Sequence, residues 1–309
     1  MNNKLSVNSS PHLKDYISTP NIMLDVIIAL IPATIISIYL FSYMAAIIIS
    51  VTVVSSVLFE GLYNMATKQK QTVGNFSAVV TGLLLALNLP PAASSIWLGV
   101  VGSFVAIILV KMIFGGIGNN IFNPAIAARV FLTVAFSSQM TSWLSPGVDG
   151  ISTATPLALI HNGIITSNLD LFLGNIPGCI GETSALALLL GLGWLLIRKI
   201  ITLDIPLTYV LTVMVFALLT GQDPIFHLLS GGLLLGAIFM ATDYTTSPMT
   251  RKGKIIFGFG LGIITMGIRL YGNLPEGVSF SILFMNVLVP LIDRYTLPKS
   301  FGGLKKKNA

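Results

Sequence analysis

The apolar run Ser77–Leu89 (SAVVTGLLLALNL) ends at Pro90-Pro91. A full helical crossing of a membrane needs roughly 20 residues, so the run predicts a short or broken helix. Its central Gly82–Ala86 (GLLLA) resembles Gly232–Gly236 (GLLLG) much later in the chain. Short helices in matching places are typical of membrane proteins built from inverted repeats, which hold a substrate or ion near the bilayer midplane. A chance match between leucine-rich spans is the alternative.

The composition indicates an integral membrane protein. Hydrophobic residues make up 54% of the chain and charged residues only 9%, and the mean hydropathy is +0.88, whereas soluble domains are about 25% charged. The apolar stretches are continuous rather than alternating, which predicts helices in a lipid bilayer. Residues 1–16 are polar and show no cleavable signal peptide.

Charge, cysteine and histidine argue against several other classes of protein. The net charge is +6, but Lys and Arg lie between apolar segments, as in membrane proteins, so we expect no nucleic-acid binding. The single cysteine, Cys179, excludes an internal disulfide and cannot alone supply a four-thiolate iron–sulfur cluster. His12, His161 and His227 show no metal-ligand spacing, and we expect no metal site.

The apolar stretches predict the fold. They lie near residues 21–41, 45–63, 77–89, 95–114, 122–136, 184–197, 206–219, 225–240, 255–268 and 278–291. We predict an all-α integral membrane protein with about ten transmembrane helices in two inverted five-helix repeats, some helices being short or broken. The predicted parts of this single domain, 1–309, are a cytoplasmic tail 1–20, a first repeat 21–136, an extracytoplasmic loop 137–183, a second repeat 184–292 and a basic cytoplasmic tail 293–309.

Positive charge predicts the orientation. With both termini in the cytoplasm, 15 of the 17 Lys and Arg residues fall on the cytoplasmic side. The exceptions are Arg129, inside the fifth span, and Arg269, at the outer end of the ninth. No Lys or Arg occurs in residues 130–197. The long loop 137–183 is therefore expected to face the extracytoplasmic side.

A small polar segment in that loop, Asp149–Pro156 (DGISTATP), stands out from its apolar surroundings. Asp149-Gly150 is a turn pair, and Thr155-Pro156 looks like an N-cap followed by proline at the first helical position. A helix is therefore expected to begin at Pro156. The Thr155 hydroxyl would then lie where helix N–H groups favour an esterified phosphate. An ordinary turn and cap is the alternative.

Several motifs in order resemble one family over nearly the whole chain. They are Ser10-Pro11-His12 with Asn21-Ile22-Met23, Asn119–Ala125 (NNIFNPA), Pro177–Ser184 (PGCIGETS) and Met240–Asp243 (MATD) through Thr246-Ser247-Pro248. The chain resembles the D component of the Rnf ion-translocating oxidoreductase (the RnfD family), which is related to the B component of the sodium-pumping NADH:quinone reductase.

The resemblance implies a covalent flavin. In that family a separate flavin transferase, working outside the cytoplasm, esterifies FMN to a threonine in an Asp-x-x-Ser/Thr-Gly-Ala-Thr segment. Asp149, Ser152, Ala154 and Thr155 match, Gly150 completes the turn, and Thr153 replaces the usual glycine, which is expected to slow attachment at most. Thr155 is then an anchor rather than a catalytic base. Two roles explain Asp149 equally well: a part in the attachment reaction, and the structural role of the first residue in an Asp-Gly turn.

By the same resemblance, the chain is expected to be an electron-transfer subunit of a prokaryotic inner (plasma) membrane complex that moves electrons between ferredoxin and NAD while pumping Na⁺ or H⁺. Its expected partners are the other Rnf-type subunits (A, B, C, E and G) and the flavin transferase, and it is not expected to be active alone. A second, non-covalent flavin such as riboflavin is left open. The alternatives are a flavin-free channel or secondary transporter and a scaffold whose flavin site has decayed.

Buried charges are the remaining candidates for the site. Arg129 lies within the fifth span after Asn123, where an unpaired cation costs about 2.5 to 3.5 kcal/mol, so we expect it to have a partner. That partner is either the flavin phosphate or a group that joins two helices, and Asn123 has the same two readings. Glu182 is interpreted as a helix cap. Snorkelling and capping at cytoplasmic helix ends explain a further set of acidic residues: Asp25, Glu60, Asp204, Asp243 and Asp293.

Overall fold

The computed structural model describes residues 18–146, 153–160, 166–272 and 277–298. The regular elements of these ranges are helices. They are α1 (Thr19–Ala66), α2 (Ser77–Leu87), α3 (Ser95–Phe104, continued by a π-helix Val105–Met112), α4 (Pro124–Ala135), α5 (Ser137–Met140), α6 (Pro156–Ile160), α7 (Asn168–Leu173), α8 (Ala185–Ile197), α9 (Asp204–Leu219), α10 (Pro224–Leu229), α11 (Leu233–Leu235, continued by a π-helix Gly236–Met240), α12 (Arg251–Tyr271) and α13 (Val278–Thr296), with a short 3-10 helix (Val73–Asn75) before α2.

Four helices of the described ranges are long and apolar enough to cross a membrane: Thr19–Ala66, Ser95–Met112, Arg251–Tyr271 and Val278–Thr296. The first is divided by a break at Ser42, whose φ of 59° and ψ of −158° are not helical. The break falls between the predicted first and second spans. The prediction of an all-helical protein with membrane-length helices is therefore confirmed, and the count of ten crossings stays a prediction.

The predicted span 225–240 is not one helix. α10 ends at Leu229, Ser230 is extended and Gly231 takes a φ of 65°, so the chain turns before α11 begins. A positive φ suits glycine because it has no Cβ. The prediction that some helices are broken did not name this stretch, because hydropathy does not register the backbone break.

The helices share one large apolar core. α1 packs on α2, α3 and α8, while α9 and α13 pack on α12. Close approach of α9 and α12 depends on glycine: a Cβ on Gly258 would lie 2.0 Å from Thr208 Oγ1, and one on Gly262 would lie 2.5 Å from Thr212 Cβ. Small residues allow membrane helices to gain packing contacts that the hydrophobic effect does not supply in lipid.

The connecting segments gather at two separate places. Residues from the start of α1, the end of α3, the segment before α4 and the segment after α11 line one cavity of about 250 Å³. A second, small cluster contains Leu157 of α6, Leu171 of α7, Ile176 and Phe226 of α10. This second cluster carries the Thr155 segment.

Candidate functional site

Thr155 lies at the start of α6, as the sequence predicts. Its carbonyl oxygen accepts from the N–H groups of Ala158 and Leu159, each at 2.9 Å, and its Oγ1 accepts from Ala158 N–H at 3.4 Å. Thr153 N–H donates to Trp143 O at 2.9 Å.

The rest of the predicted attachment segment is only partly described. Ala154 is exposed, whereas Thr155 is buried, with 6% of its surface accessible. Asp149, Gly150 and Ser152 lie outside the described residues, so their predicted roles stay predictions. Leu157 anchors α6 by packing with Leu171, Ile176 and Phe226.

A small cavity lies beside Thr155, with a volume of about 10 Å³, roughly that of one water molecule. Its lining combines apolar, hydroxyl and carboxylate groups: Thr155, Pro156, Leu157, Ile176, Pro177, Gly178, Glu182, Thr183 and Gly231. The cavity therefore brings Thr155 to the same place as Glu182, which comes from a different part of the chain.

Glu182 forms a buried ion pair with Arg129. Arg129 Nη1 donates to Glu182 Oε1 and to Asn88 Oδ1, and Arg129 Nη2 lies 3.3 Å from Cys179 Sγ. The Arg129 and Glu182 side chains are 5% and 2% exposed. Two partners were predicted for Arg129, a group within the protein and the flavin phosphate. The structure shows the first, and contact with a flavin stays a prediction.

Backbone pairing explains why these side chains meet. Ile180 N–H donates to Leu89 O at 2.9 Å, and Gly181 N–H donates to Leu87 O at 2.8 Å. The segment before α8 is thereby fixed against the end of α2, where Asn88 lies. Buried irregular backbone at membrane depth needs such partners, since lipid offers none.

The interpretation of Glu182 as a helix cap was wrong. α8 is capped by Ser184, whose hydroxyl accepts from Ala187 N–H at 3.4 Å, while Glu182 pairs with Arg129. Its second oxygen, Oε2, is buried and has no hydrogen-bond partner within the described ranges. Gly232, at the start of α11, leaves room for this carboxylate, because a Cβ there would lie 2.5 Å from Oε1.

Asn123 caps α4 and joins three segments. Its Oδ1 accepts from Ala125 N–H at 3.1 Å, and its Nδ2 donates to Met240 O at 3.1 Å. With its amide oriented to satisfy its neighbours, Asn286 of α13 accepts from Asn123 N–H at 3.1 Å and donates to Thr246 O at 3.0 Å. Of the two predicted roles of Asn123, these contacts favour helix packing over contact with a flavin.

A second buried ion pair lies at the 250 Å³ cavity. Lys111 Nζ donates to Glu60 Oε2 at 2.5 Å and to Ser77 Oγ at 2.6 Å, and Thr72 Oγ1 donates to Glu60 Oε1 at 2.6 Å. Lys111 is 2% exposed and Glu60 is fully buried. The snorkelling explanation of Glu60 was therefore wrong: the glutamate packs inward because Lys111 neutralises it.

Three other acidic residues near helix ends have partners that are at least partly exposed. Arg198 Nε donates to Asp25 at 3.1 Å, and Arg251 Nε donates to Asp204 at 3.1 Å. Asp293 accepts from Met249 N–H at 3.1 Å. Asp25 itself is buried, while Asp204 and Asp293 are partly exposed.

Asp243 lies in the segment after α11 and lines the 250 Å³ cavity. Burial raises the pKa of its carboxyl group above the usual value, and the hydroxyls of Thr245 and Thr246, which donate to Asp243 Oδ2 at 3.1 and 3.2 Å, limit the rise. The predicted role in helix capping therefore does not by itself explain the position and hydrogen bonds of the Asp243 carboxyl group.

Asn88 and Cys179 were missed as site residues, although both contact Arg129. Asn88 is a polar residue inside an otherwise apolar run just before Pro90-Pro91, which is a signal of a broken helix with a polar end. Cys179 had no such signal. Among the described residues, no group of three or more His, Cys, Asp or Glu side chains is placed to hold a metal ion.

The described part of the site offers the Thr155 hydroxyl beside a water-sized cavity. Glu182 is the charged side chain in the lining of this cavity, and its Oε2 is a buried acceptor with no hydrogen-bond partner within the described ranges. A cavity of this size has no room for a phosphate or a ring system, so a group attached to Thr155 would lie outside it.

Known proteins resemble this chain over nearly its whole length. The model of the NQR2, RnfD, RnfE family matches residues 6–302. The D component of the Na⁺-translocating ferredoxin:NAD⁺ oxidoreductase complex of Acetobacterium woodii is 52% identical, with 98% of this chain and 97% of that protein covered.

Two further relatives match over nearly their full length. The D component of the proton-translocating ferredoxin:NAD⁺ oxidoreductase complex of Clostridium ljungdahlii is 39% identical, with 97% of each chain covered. The D component of the ion-translocating oxidoreductase complex of Escherichia coli (strain K12) is 34% identical, with 97% of this chain and 99% of that protein covered. The chain therefore belongs to the NQR2, RnfD, RnfE family.

Proposed function

We propose that this protein is a membrane electron-transfer subunit of an Rnf-type complex, in which electron transfer between ferredoxin and NAD drives translocation of Na⁺ or H⁺. The observation that carries this proposal is the 52% identity to the D component of the Acetobacterium woodii complex over 98% of the chain. Its partners in such a complex would be the A, B, C, E and G components. Ferredoxin and NAD are water-soluble, so they would react with parts of the complex that lie outside the lipid-embedded helices.

The proposed cofactor is FMN, attached covalently to Thr155. The support is the match of Asp149, Ser152, Ala154 and Thr155 to the attachment segment, together with the position of Thr155 directly before α6. A flavin accepts one or two electrons, so a tethered FMN joins two-electron and one-electron carriers while the protein sets its position. A separate flavin transferase would catalyse the attachment of FMN to Thr155.

The proposed topology has ten crossings in two inverted halves, with both termini in the cytoplasm and Thr155 outside. The support is the charge asymmetry of the sequence and the clustering of connecting segments. The segments around the 250 Å³ cavity are all on the predicted cytoplasmic side, and Leu157, Leu171, Ile176 and Phe226 are all on the predicted outer side.

A second, non-covalent flavin such as riboflavin has a candidate place in the 250 Å³ cavity. The walls are mostly apolar, including Leu84, Ile238 and Phe239, and Lys111, Asn123 and Asp243 add a few polar groups. Sites for small planar ligands have this composition. Extraction of the purified complex with acid would release this flavin and leave the esterified FMN on the chain.

The experiment for the covalent flavin compares wild type with Thr155→Ala and Thr153→Ala, each co-expressed with a flavin transferase. We expect ultraviolet fluorescence of the denatured wild-type band and an added FMN mass on the peptide that holds Thr155. Thr155→Ala should lose both signals and remain folded, because its hydroxyl makes only a long hydrogen bond to Ala158 N–H. Thr153→Ala is the matched control and should keep both.

An unmodified Thr155 peptide in an active complex would overturn the covalent flavin. A folded wild-type protein that never acquires flavin, yet transports a small solute, would favour the channel or transporter instead. Ferredoxin-dependent NAD reduction by membranes that contain Thr155→Ala should fall to the background level if the tethered FMN carries the electrons.

A further inference from the structure

A groove of about 480 Å³ runs along the surface of α1 after its break. Its lining residues recur at helical spacing on one face of α1, with one contribution from α3: Ser50, Val51, Val54, Ser55, Leu58, Phe59, Leu62 and Val100. Ser50 Oγ donates to Ala46 O at 2.7 Å, and Ser55 Oγ donates to Val51 O. Because both hydroxyls are satisfied within the helix, the surface of the groove is apolar.

The length of the groove suits a lipid chain. Leu62 follows Ser50 by 12 positions, which is about 18 Å along a helix. The hydrocarbon core of a bilayer is about 30 Å thick, so one leaflet contributes about 15 Å. A membrane helix of another subunit would pack across the whole core, whereas an acyl chain occupies one leaflet. The groove therefore matches an acyl chain better than a helix.

The segment that follows α1 folds back against the end of the groove. Gln69 N–H donates to Asn64 O at 2.9 Å, and Gln71 Nε2 donates to Gly61 O at 3.4 Å. Gly61 and Asn64 lie on either side of Leu62 in the sequence, and Leu62 is the last lining residue of the groove. The backbone between the two glutamines is therefore held beside this end of the groove.

Two exposed lysines of this segment, Lys68 and Lys70, give the end of the groove a positive charge. The sequence contains no Asp or Glu from residue 61 to residue 148. The carboxylate that precedes them, Glu60, is buried and paired with Lys111. Lysines at the end of a membrane helix attract anionic lipids. Charge therefore favours a lipid with an anionic headgroup at this end.

We propose that this groove binds an anionic glycerophospholipid, with one acyl chain along α1 between Leu62 and Ser50 and the phosphate beside Lys68 and Lys70. The inference requires that the chain spans a membrane, and it does not depend on the flavin or on electron transfer. With the proposed orientation, the lipid belongs to the cytoplasmic leaflet. Its binding would fix the second half of α1 relative to α3, which shares the groove through Val100.

The first test measures lipid affinity by native mass spectrometry of the full chain released from detergent micelles. The probes are phosphatidylglycerol and phosphatidylcholine with identical acyl chains, and wild type should bind phosphatidylglycerol more tightly. The double variant Lys68→Gln/Lys70→Gln should weaken phosphatidylglycerol binding by about 30-fold, which is about fivefold per lysine, and leave phosphatidylcholine unchanged. Lys199→Gln/Lys252→Gln is the matched control, because it removes the same charge from two other exposed lysines, and its affinities should equal those of wild type.

The second test fills the groove without changing charge. Val54 is exposed within the groove, and Ile35 is exposed on α1 outside it. Val54→Trp should weaken the binding of both lipids by the same factor, because the indole occupies the place of the acyl chain. Ile35→Trp adds the same side chain elsewhere and should bind both lipids as wild type does.

Two kinds of result would overturn the inference. One is a phosphatidylglycerol affinity that is unchanged in Lys68→Gln/Lys70→Gln, or that falls equally in Lys199→Gln/Lys252→Gln, since the attraction would then not belong to this groove. The other is unchanged lipid binding by Val54→Trp together with loss of the other subunits from the purified complex. The groove would then receive a membrane helix of a partner subunit instead of a lipid.

Discussion

Arg129 Nη1 donates to Glu182 Oε1 across 53 positions of sequence, and both side chains are almost fully buried. The pair joins α4 to the segment before α8, and Asn88 at the end of α2 shares the same guanidinium. Three segments that are distant in the sequence are fixed at one point. Because that point lies beside the Thr155 cavity, the pair also links the fold to the proposed flavin site.

Removing Arg129 should be costly. Arg129→Met leaves Glu182 buried without its cation, and we expect a loss of about 3–5 kcal/mol in the free energy of unfolding, the usual cost of breaking a buried pair. Thermal unfolding of the detergent-solubilised protein measures the loss. Arg198→Met is the control, since Arg198 is half exposed beside Asp25 and such a pair contributes about 1 kcal/mol or less. Equal shifts in the two variants would contradict this ranking.

Ser42 should be a site where substitution stabilises the protein. A φ of 59° with a ψ of −158° is a conformation essentially reserved for glycine, and such strain costs of order 1–3 kcal/mol. Ser42→Gly should therefore stabilise by about 1 kcal/mol after the entropy of the added glycine is subtracted. In the regular part of α1, Ser50→Gly should destabilise by a similar amount. A lower melting temperature for Ser42→Gly would exclude strain at the break.

Asp243 should make stability depend on pH. Burial raises the pKa of its carboxyl group in the folded protein, so the folded state keeps the proton to higher pH than the unfolded chain does. The Asp243 contribution is therefore most favourable at low pH and is lost as pH rises from about 4 through the raised pKa. Asp243→Asn cannot titrate, and its melting temperature should fall less than that of wild type over this range. Parallel curves for the two proteins would contradict the raised pKa.

Thiol labelling should reveal the orientation. Asn168 and Lys68 are both exposed, and the native Cys179 is buried, so background labelling should be low. In intact cells an impermeant maleimide should react with Asn168→Cys, which precedes α8 on the outer side, and not with Lys68→Cys, which follows α1. Both variants should react after the membrane is permeabilised. If Lys68→Cys alone were labelled in intact cells, the orientation would be the reverse of the proposed one.

The amino-acid sequence determined the class of the fold and most helix positions. Continuous apolar runs leave lipid-embedded backbone no partner except the helix itself, so Ser77–Leu87, Ala185–Ile197 and Val278–Thr296 begin within about two residues of their predicted starts. The helix at Pro156 was also predictable, because a threonine before proline is a local cap signal.

Tertiary structure alone decided which polar residues meet. Glu60 and Glu182 have ordinary helix-end positions in the sequence, yet each is buried against a cation from another helix, Lys111 and Arg129. The break at Gly231, where φ is 65°, likewise is not visible in the hydropathy of this apolar stretch. Composition and periodicity report how each segment interacts with lipid and with its own backbone, whereas an ion pair depends on the distance between segments that only the folded chain brings together.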